Sequence, residues 1–209
     1  KLNLLSRDSF EESINFTLSK KNLLITFHPA TLDNSSAFDQ FSVLLSVLDS
    51  LKDTHLIFTK SNADTDGRII NEMIDKYVEK NSDKAIAFTS LGQLRYISAM
   101  KYIDGLVGNS SSGLIEAPSF KIGTINIGDR QKGRLKAKSV IDCDPTVDDI
   151  QDAIKKLYSK SFIKQLQSSN NPYNGVDVAE KIVDIIKSYN LDNILKKSFY
   201  DLNLFKKIK

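Results

Sequence analysis

At 209 residues, with 41% hydrophobic and 26% charged side chains, the chain has the size and composition of a globular protein with one large or two small domains. Against 26 acidic residues stand 29 basic ones, a net charge of +3 that is too balanced to argue for a nucleic-acid or membrane partner. The single cysteine, Cys143, excludes an internal disulfide and fits a reducing compartment, and no apolar run approaches the roughly 18 residues that would span a bilayer.

Lys1 to Ser19 lacks the continuous apolar core of a signal peptide, so a cytoplasmic protein is expected. The chain opens on Lys rather than Met, as a fragment or a processed protein would. Residues 1–20 read as a leading linker. From Asn22 onward short apolar runs alternate with longer amphipathic ones, the pattern of repeated strand-helix units around a parallel sheet. Leu23 to Phe27 predicts the first strand, and Phe38, Phe41, Leu44, Leu45, Leu48 and Leu51 then recur at helical spacing. His55 to Thr59 predicts a second strand, followed by a helix through Ile69, Ile70, Met73, Ile74 and Tyr77. Ala85 to Phe88 is a third strand with a helix through Leu94, Ile97 and Met100, and Gly105 to Val107 a short fourth. Thr124 to Ile127 and Val140 to Asp142 complete the strands. Helices are expected over Thr146 to Tyr158, Ser161 to Gln167 and Val176 to Tyr189. The expected fold is α/β: a Rossmann-like parallel sheet with flanking helices over 21–190, then a basic helical tail over 191–209.

In such a sheet, ligands bind beyond the carboxyl ends of the strands. The loop Gly108-Asn109-Ser110-Ser111-Ser112-Gly113, leading to Leu114-Ile115-Glu116-Ala117-Pro118, fits that position best. Where a strand hands over to a helix through small residues, unpaired N–H groups and the positive end of the helix dipole can face an anion. Glycine allows close approach and serine adds hydroxyl donors. The same pattern also makes ordinary turns and helix caps.

Other loops add candidates. His28 follows the first strand and can donate to a phosphate oxygen, with capping or packing as its alternative. Asn62 lies with Asp64 and Asp66 ahead of a helix that Asp66 would cap, and its amide suits either a ligand or a turn. Glu116 falls in the first turns of the helix opened by the serine loop, where the dipole alone would favour a carboxylate. Beside bound phosphate it would be repelled, so ribose hydroxyls are its natural partner. Arg130 opens a basic run with Lys132, Arg134, Lys136 and Lys138; its position favours phosphate, and the later lysines read as solvated. His55 opens a strand and reads as structural. One cysteine and two distant histidines make no zinc set, and neither a P-loop nor a Gly-x-Gly-x-x-Gly fingerprint is present. No metal and no cofactor is expected.

Thr26-Phe27-His28-Pro29, the Gly108 to Gly113 loop with Glu116-Ala117-Pro118, Ile125-Asn126-Ile127-Gly128-Asp129-Arg130, and Asn171-Pro172-Tyr173 occur in the order seen in the UDP-N-acetylglucosamine 2-epimerase family. The resemblance covers nearly the whole chain. It is stronger to the hydrolysing branch, which makes N-acetylmannosamine or a related sugar for sialic-acid-like nonulosonates. The non-hydrolysing branch usually has Asp-Ser-Gly-Gly and Glu-Glu-Ala-Pro where this chain has Asn109-Ser110-Ser111-Ser112 and Ile115-Glu116-Ala117-Pro118. A further departure is Asn171-Pro172-Tyr173-Asn174-Gly175, where the family more often reads Asn-Pro-Tyr-Gly-Asp-Gly.

The resemblance implies the C-terminal half of a GT-B type enzyme, two Rossmann-like domains with a UDP-sugar between them, the N-terminal domain being absent. It places Ser110 and Ser111 at the diphosphate, Glu116 at the ribose, His28 and Arg130 at the phosphates, Asn62 nearby and Leu91 at the uracil through its backbone. His28 is also carried as a catalytic candidate, while the acid and base carboxylates are expected in the absent domain. The family reaction abstracts the sugar C2 proton, eliminates UDP to a glycal-type intermediate and adds water to give the free 2-epimer. Partners implied are the UDP-sugar, the missing domain and a homodimer. Three alternatives stay open: a non-hydrolysing epimerase, a GT-B glycosyltransferase domain, and a non-catalytic flavodoxin-like α/β binding domain.

Overall fold

The apolar runs become strands because large aliphatic and β-branched side chains pack on both faces of a covered sheet. β1 (Lys21–Thr26), β2 (Thr54–Thr59), β3 (Ala85–Phe88), β4 (Gly105–Gly108), β5 (Gly123–Ile127) and β6 (Val140–Cys143) form one sheet in the computed structural model. The model describes residues 2–29, 36–62, 65–192 and 194–196. All pairings are parallel and the order is β3-β2-β1-β4-β5-β6. The order reverses between β1 and β4, which makes that boundary the place where a crevice opens above the strand ends.

Alternate residues of the inner strands feed two apolar layers. Leu23, Ile25, Leu56, Phe58 and Val107 join Phe41 and Leu44 of α2 (Ala37–Asp49), Ile70 and Ile74 of α3 (Thr65–Lys80), and Leu157 of α6 (Val147–Leu157). Leu24, Ile57 and Leu106 pack instead with Phe10 and Ile14 of α1 (Arg7–Ile14) and Ala99 of α4 (Gly92–Ala99). Hydroxyl caps open several of the described helices. Ser36 accepts from the Asp39 N–H and Thr146 from the Asp149 N–H, each satisfying an orphan donor of its first turn.

The leading stretch is not a loose linker. Ser6 caps α1, Asn15 ends it in the left-handed region at φ 48°, and Phe10 and Ile14, four apart, are buried. In a linker those two side chains would stand in water. The chain divides into two compact units after Tyr173, rather than at 190. The first unit closes with α7 (Lys160–Ser168), and the second carries α8 (Val178–Ser188), on which Val178, Ile182 and Ile186 recur at four-residue spacing. Most of the tail expected over 191–209 lies outside the described residues, as does Asp64. α3 begins at Thr65, so Asp66 falls inside its first turn rather than ahead of it.

The serine loop departs from expectation most. The helix it opens, α5, spans only Ser112–Ile115 and is followed by a 3-10 turn, Ala117–Phe120. Pro118 has no N–H to give to the Leu114 carbonyl, so the α-helical ladder stops there. Glu116 is therefore the C-cap of α5, at the junction with the 3-10 turn, where the α5 dipole opposes a carboxylate instead of favouring it. So short a helix also contributes little dipole, and any anion here must be held by local N–H groups and hydroxyls.

Candidate functional site

The ends of β1, β2, β3 and β4 enclose a cavity of about 430 Å³. β1 contributes Thr26 and His28, β2 Thr59 and Lys60, and the loop after β3 Thr89, Ser90 and Leu91. Gln93 and Tyr96 of α4 form one wall, and Ser110, Ser112 and Glu116 the opposite one. Four residues singled out from sequence, His28, Leu91, Ser110 and Glu116, thus share one cavity. Three do not line it. Asn62 is exposed, Ser111 sits at the start of α5 with no side-chain cap bond, and Arg130 reaches from the β5 loop to the Asn109 carbonyl at 3.0 Å.

Two backbone approaches shape the serine turn. Gly108 has φ 135°, and a Cβ there would stand 2.0 Å from the Thr26 carbonyl oxygen. A Cβ at Gly113 would come within 2.3 Å of Thr124 Cγ2, while the Thr124 hydroxyl donates to the Gly113 carbonyl at 2.9 Å. Only glycine lets the turn lie this close to β1 and β5.

The floor is polar. Thr26 and Thr59 share a hydrogen bond of 2.5 Å between hydroxyls, and His28 Nδ1 lies 3.1 Å from Ser61 Oγ. Burial pushes the Tyr96 hydroxyl up; the nearby Ser112 and Thr26 hydroxyls oppose that shift and the charge of Glu116 adds to it. Glu116 Oε2 is buried with no hydrogen-bond partner among the described residues, whereas Ser112 Oγ, also buried, has the Tyr96 hydroxyl beside it. Buried polar atoms are normally paired, so the Glu116 oxygen is a group that a ligand would satisfy. Burial lowers the Arg130 guanidinium, with Arg134 adding to the effect.

The Asn171-Pro172-Tyr173 motif braces this wall from behind. Asn171 Nδ2 donates to the Ile115 carbonyl at 2.8 Å and to Ser119 Oγ at 2.7 Å, fixing both sides of Glu116. Tyr173 donates its hydroxyl to the Leu135 carbonyl at 3.1 Å.

Sequence reasoning missed Tyr96 and Thr59, and it named Thr26 and Ser112 only within their motifs, with no role of their own. Both threonines close their strands at the carboxyl edge, which was a usable signal; Tyr96 was hidden among the apolar residues of α4. A second cavity, of about 380 Å³, lies beyond β5 and β6. Its lysines are already engaged, Lys132 with Asp129 at 2.9 Å and Lys136 with Asp142 at 2.8 Å, and burial pushes its Cys143 thiol up to about 12. His55 is tied to the Thr17 carbonyl at 2.7 Å and packs on the Phe16 ring. Among the described residues no group of three His, Cys, Asp or Glu side chains could hold a metal ion, and no helix is long and apolar enough to cross a membrane.

A parallel sheet in this order, with a polar cavity at its switch point walled by a glycine- and serine-rich turn, defines a Rossmann-like α/β domain with a candidate binding crevice. The chain belongs to the UDP-N-acetylglucosamine 2-epimerase family, whose description matches residues 2–187. It is 45% identical over 202 residues to the GDP/UDP-N,N'-diacetylbacillosamine 2-epimerase (hydrolyzing) of Campylobacter jejuni, covering 96% of this chain and 52% of that protein. With polysialic acid biosynthesis protein P7 of Escherichia coli it shares 42% over 191 residues, or 89% of this chain and 48% of the other. The chain thus spans about half the length of the curated relatives it matches.

Among solved structures, the Staphylococcus aureus MnaA–UDP co-structure superposes with a TM-score of 0.63 at 18% identity, over 92% of this chain and 51% of that one. The Methanocaldococcus jannaschii UDP-GlcNAc 2-epimerase in complex with UDP-GlcNAc and UDP gives 0.64 at 15%, over 87% and 48%. The fold is accordingly one Rossmann-like half of the GT-B architecture.

Proposed function

We propose that this chain is the nucleotide-binding half of a hydrolysing UDP-sugar 2-epimerase, which converts a UDP-amino sugar of the N-acetylglucosamine or diacetylbacillosamine type and water into the free 2-epimer and UDP. The observation that carries this reading is the Glu116 carboxylate, whose Oε2 is buried and without a hydrogen-bond partner among the described residues, on one wall of the switch-point cavity. The dipole explanation for Glu116 has lapsed, because the carboxylate stands at the wrong end of α5. A role at a ribose diol remains.

In this reading Ser110, Ser111 and the adjoining N–H groups receive the diphosphate, His28 and Arg130 complete the anion site, and the Leu91 backbone meets the base. Asn62, exposed beside the cavity, is at most a rim contact. The work of this half is electrostatic: elimination leaves negative charge on the departing diphosphate, and preformed donors stabilise that charge as it develops. His28 is the catalytic candidate of this half, at the departing diphosphate; the carboxylates for proton abstraction and return belong to polypeptide outside this chain. The products suit nonulosonate or sialic-acid synthesis in the cytoplasm.

Isothermal calorimetry of the 209-residue chain with UDP, GDP and FMN tests the reading. UDP should bind and FMN should not. Tighter binding of FMN would favour a flavodoxin-like domain, and absence of any UDP binding would remove the site assignment.

A further inference from the structure

Asn109 is 2% exposed and stands between β4 and the serine turn, and every polar group it has is in use. Its N–H donates to the Thr26 carbonyl at 3.1 Å. Its Oδ1 accepts from the His28 N–H at 2.7 Å, and its Nδ2 donates to the His28 carbonyl at 2.7 Å. Its own carbonyl accepts from Arg130 Nη1 at 3.0 Å and from Nε2 of the buried Gln131 at 2.7 Å.

The β1–β4 ladder ends at Thr26 paired with Gly108, where the positive φ turns the main chain away. One residue further on, the Asn109 side-chain amide replaces the missing backbone partner, giving and taking one hydrogen bond with His28 as a strand neighbour would. Three loops that leave different strands are thereby joined at one residue.

We propose that Asn109 is a positioning residue: it locks the His28 turn, the serine turn and the Arg130 arm into one rim for a nucleoside diphosphate, and it does so only as an amide. The proposal rests on the ligand reading above. Several donors aimed at one anion bind well when their geometry is set beforehand, because their ordering is then no longer charged against binding. A carboxylate at this position keeps the acceptor for the His28 N–H but has nothing to give to the His28 carbonyl, and alanine keeps neither.

Asn109→Ala and Asn109→Asp are compared with the wild type at pH 8 by UDP calorimetry and by NMR of the histidine ring nitrogens. The chain has two histidines, and a His55→Gln variant assigns their signals. Without nucleotide, Asn109→Ala should move the His28 ring signals and leave those of His55 in place. UDP affinity should fall at least about tenfold in Asn109→Ala and by an intermediate factor in Asn109→Asp. Unmoved His28 signals in Asn109→Ala, or UDP affinity within about twofold of wild type in that variant, would overturn the proposal. Should Asn109→Ala fail to fold, the isosteric Asn109→Asp carries the same two readouts, with equality to wild type in both as the overturning result. If wild-type protein binds no UDP, the ligand reading fails, and the nucleotide-free NMR comparison still decides whether Asn109 sets His28.

Discussion

The α-carbon of Gly108 faces the carbonyl of Thr26 so closely that no side chain fits between them: an added Cβ would lie 2.0 Å from that oxygen, at a φ of 135°. This contact sets the height of the serine turn above the sheet. It also lets the Asn109 N–H reach the same carbonyl at 3.1 Å. Gly108→Ala should therefore cost upwards of about 3 kcal/mol, since backbone atoms on both sides would have to part. Gly113→Ala meets a threonine methyl that can rotate away, losing chiefly the Thr124 hydrogen bond, and should cost about 1 to 2 kcal/mol. Urea denaturation of the two variants checks the order; a larger loss at Gly113 would contradict this account of the turn.

Glu116 gives a ligand-specific prediction. If its carboxylate accepts from the ribose diol, Glu116→Ala should weaken UDP binding about tenfold while leaving 2',3'-dideoxy-UDP nearly unaffected. Calorimetry with both nucleotides on both proteins completes the cycle. Equal losses for the two nucleotides would place Glu116 elsewhere than at the diol.

The leading helix offers a stability test. Phe10 is fully buried in the layer formed with Leu24, Ile57 and Met100. Phe10→Ala should cost about 3 to 5 kcal/mol, as expected for truncating a core aromatic. A loss below about 1 kcal/mol in denaturant titration would mean that α1 is only loosely attached.

Glu11 supplies a pH dependence. Its carboxylate accepts from Arg7 Nε at 2.8 Å and from the Leu18 N–H at 3.1 Å. The Arg7 hydrogen bond, foremost, holds Glu11 below the usual carboxylate range, against a smaller opposing effect of burial. A depressed folded-state value means that the stabilisation is present above the unfolded pKa and is lost as pH falls through the folded one. Glu11→Gln should then be less stable than wild type at pH 7 by no more than about 1 kcal/mol, because the pair is partly exposed to solvent. The two melting curves should converge as acid protonates the Glu11 carboxyl in the folded state too, below the usual carboxylate range. A gap that widens on acidification would reverse the assigned sign.

The strand runs, most helices and the place of the binding crevice were legible in the sequence because each is a local or periodic property. Leu23 to Ile25 and Leu56 to Phe58 are apolar at every position, as a strand covered on both faces requires, and the rule for ligands at strand ends then pointed to His28 and Ser110. α1 was missed because its signal, a serine cap and two apolar residues four apart, is short and precedes the regular alternation. Asn62 and Arg130 followed the same strand-end rule and still fell outside the cavity lining, because loop direction depends on contacts remote in sequence.

By itself the sequence determined the alternation of strands and helices, the family and the identity of the polar residues at the strand ends, all of which are carried by side-chain type and spacing. The tertiary structure decided which of those residues meet. It cut α5 to one turn at Pro118, turned Glu116 into the cavity with Asn171 behind it, and hung His28 and Arg130 on the single buried residue Asn109. The physical reason is that these contacts join residues tens of positions apart, from 21 between Arg130 and Asn109 to 81 between His28 and Asn109, where no local periodicity reaches.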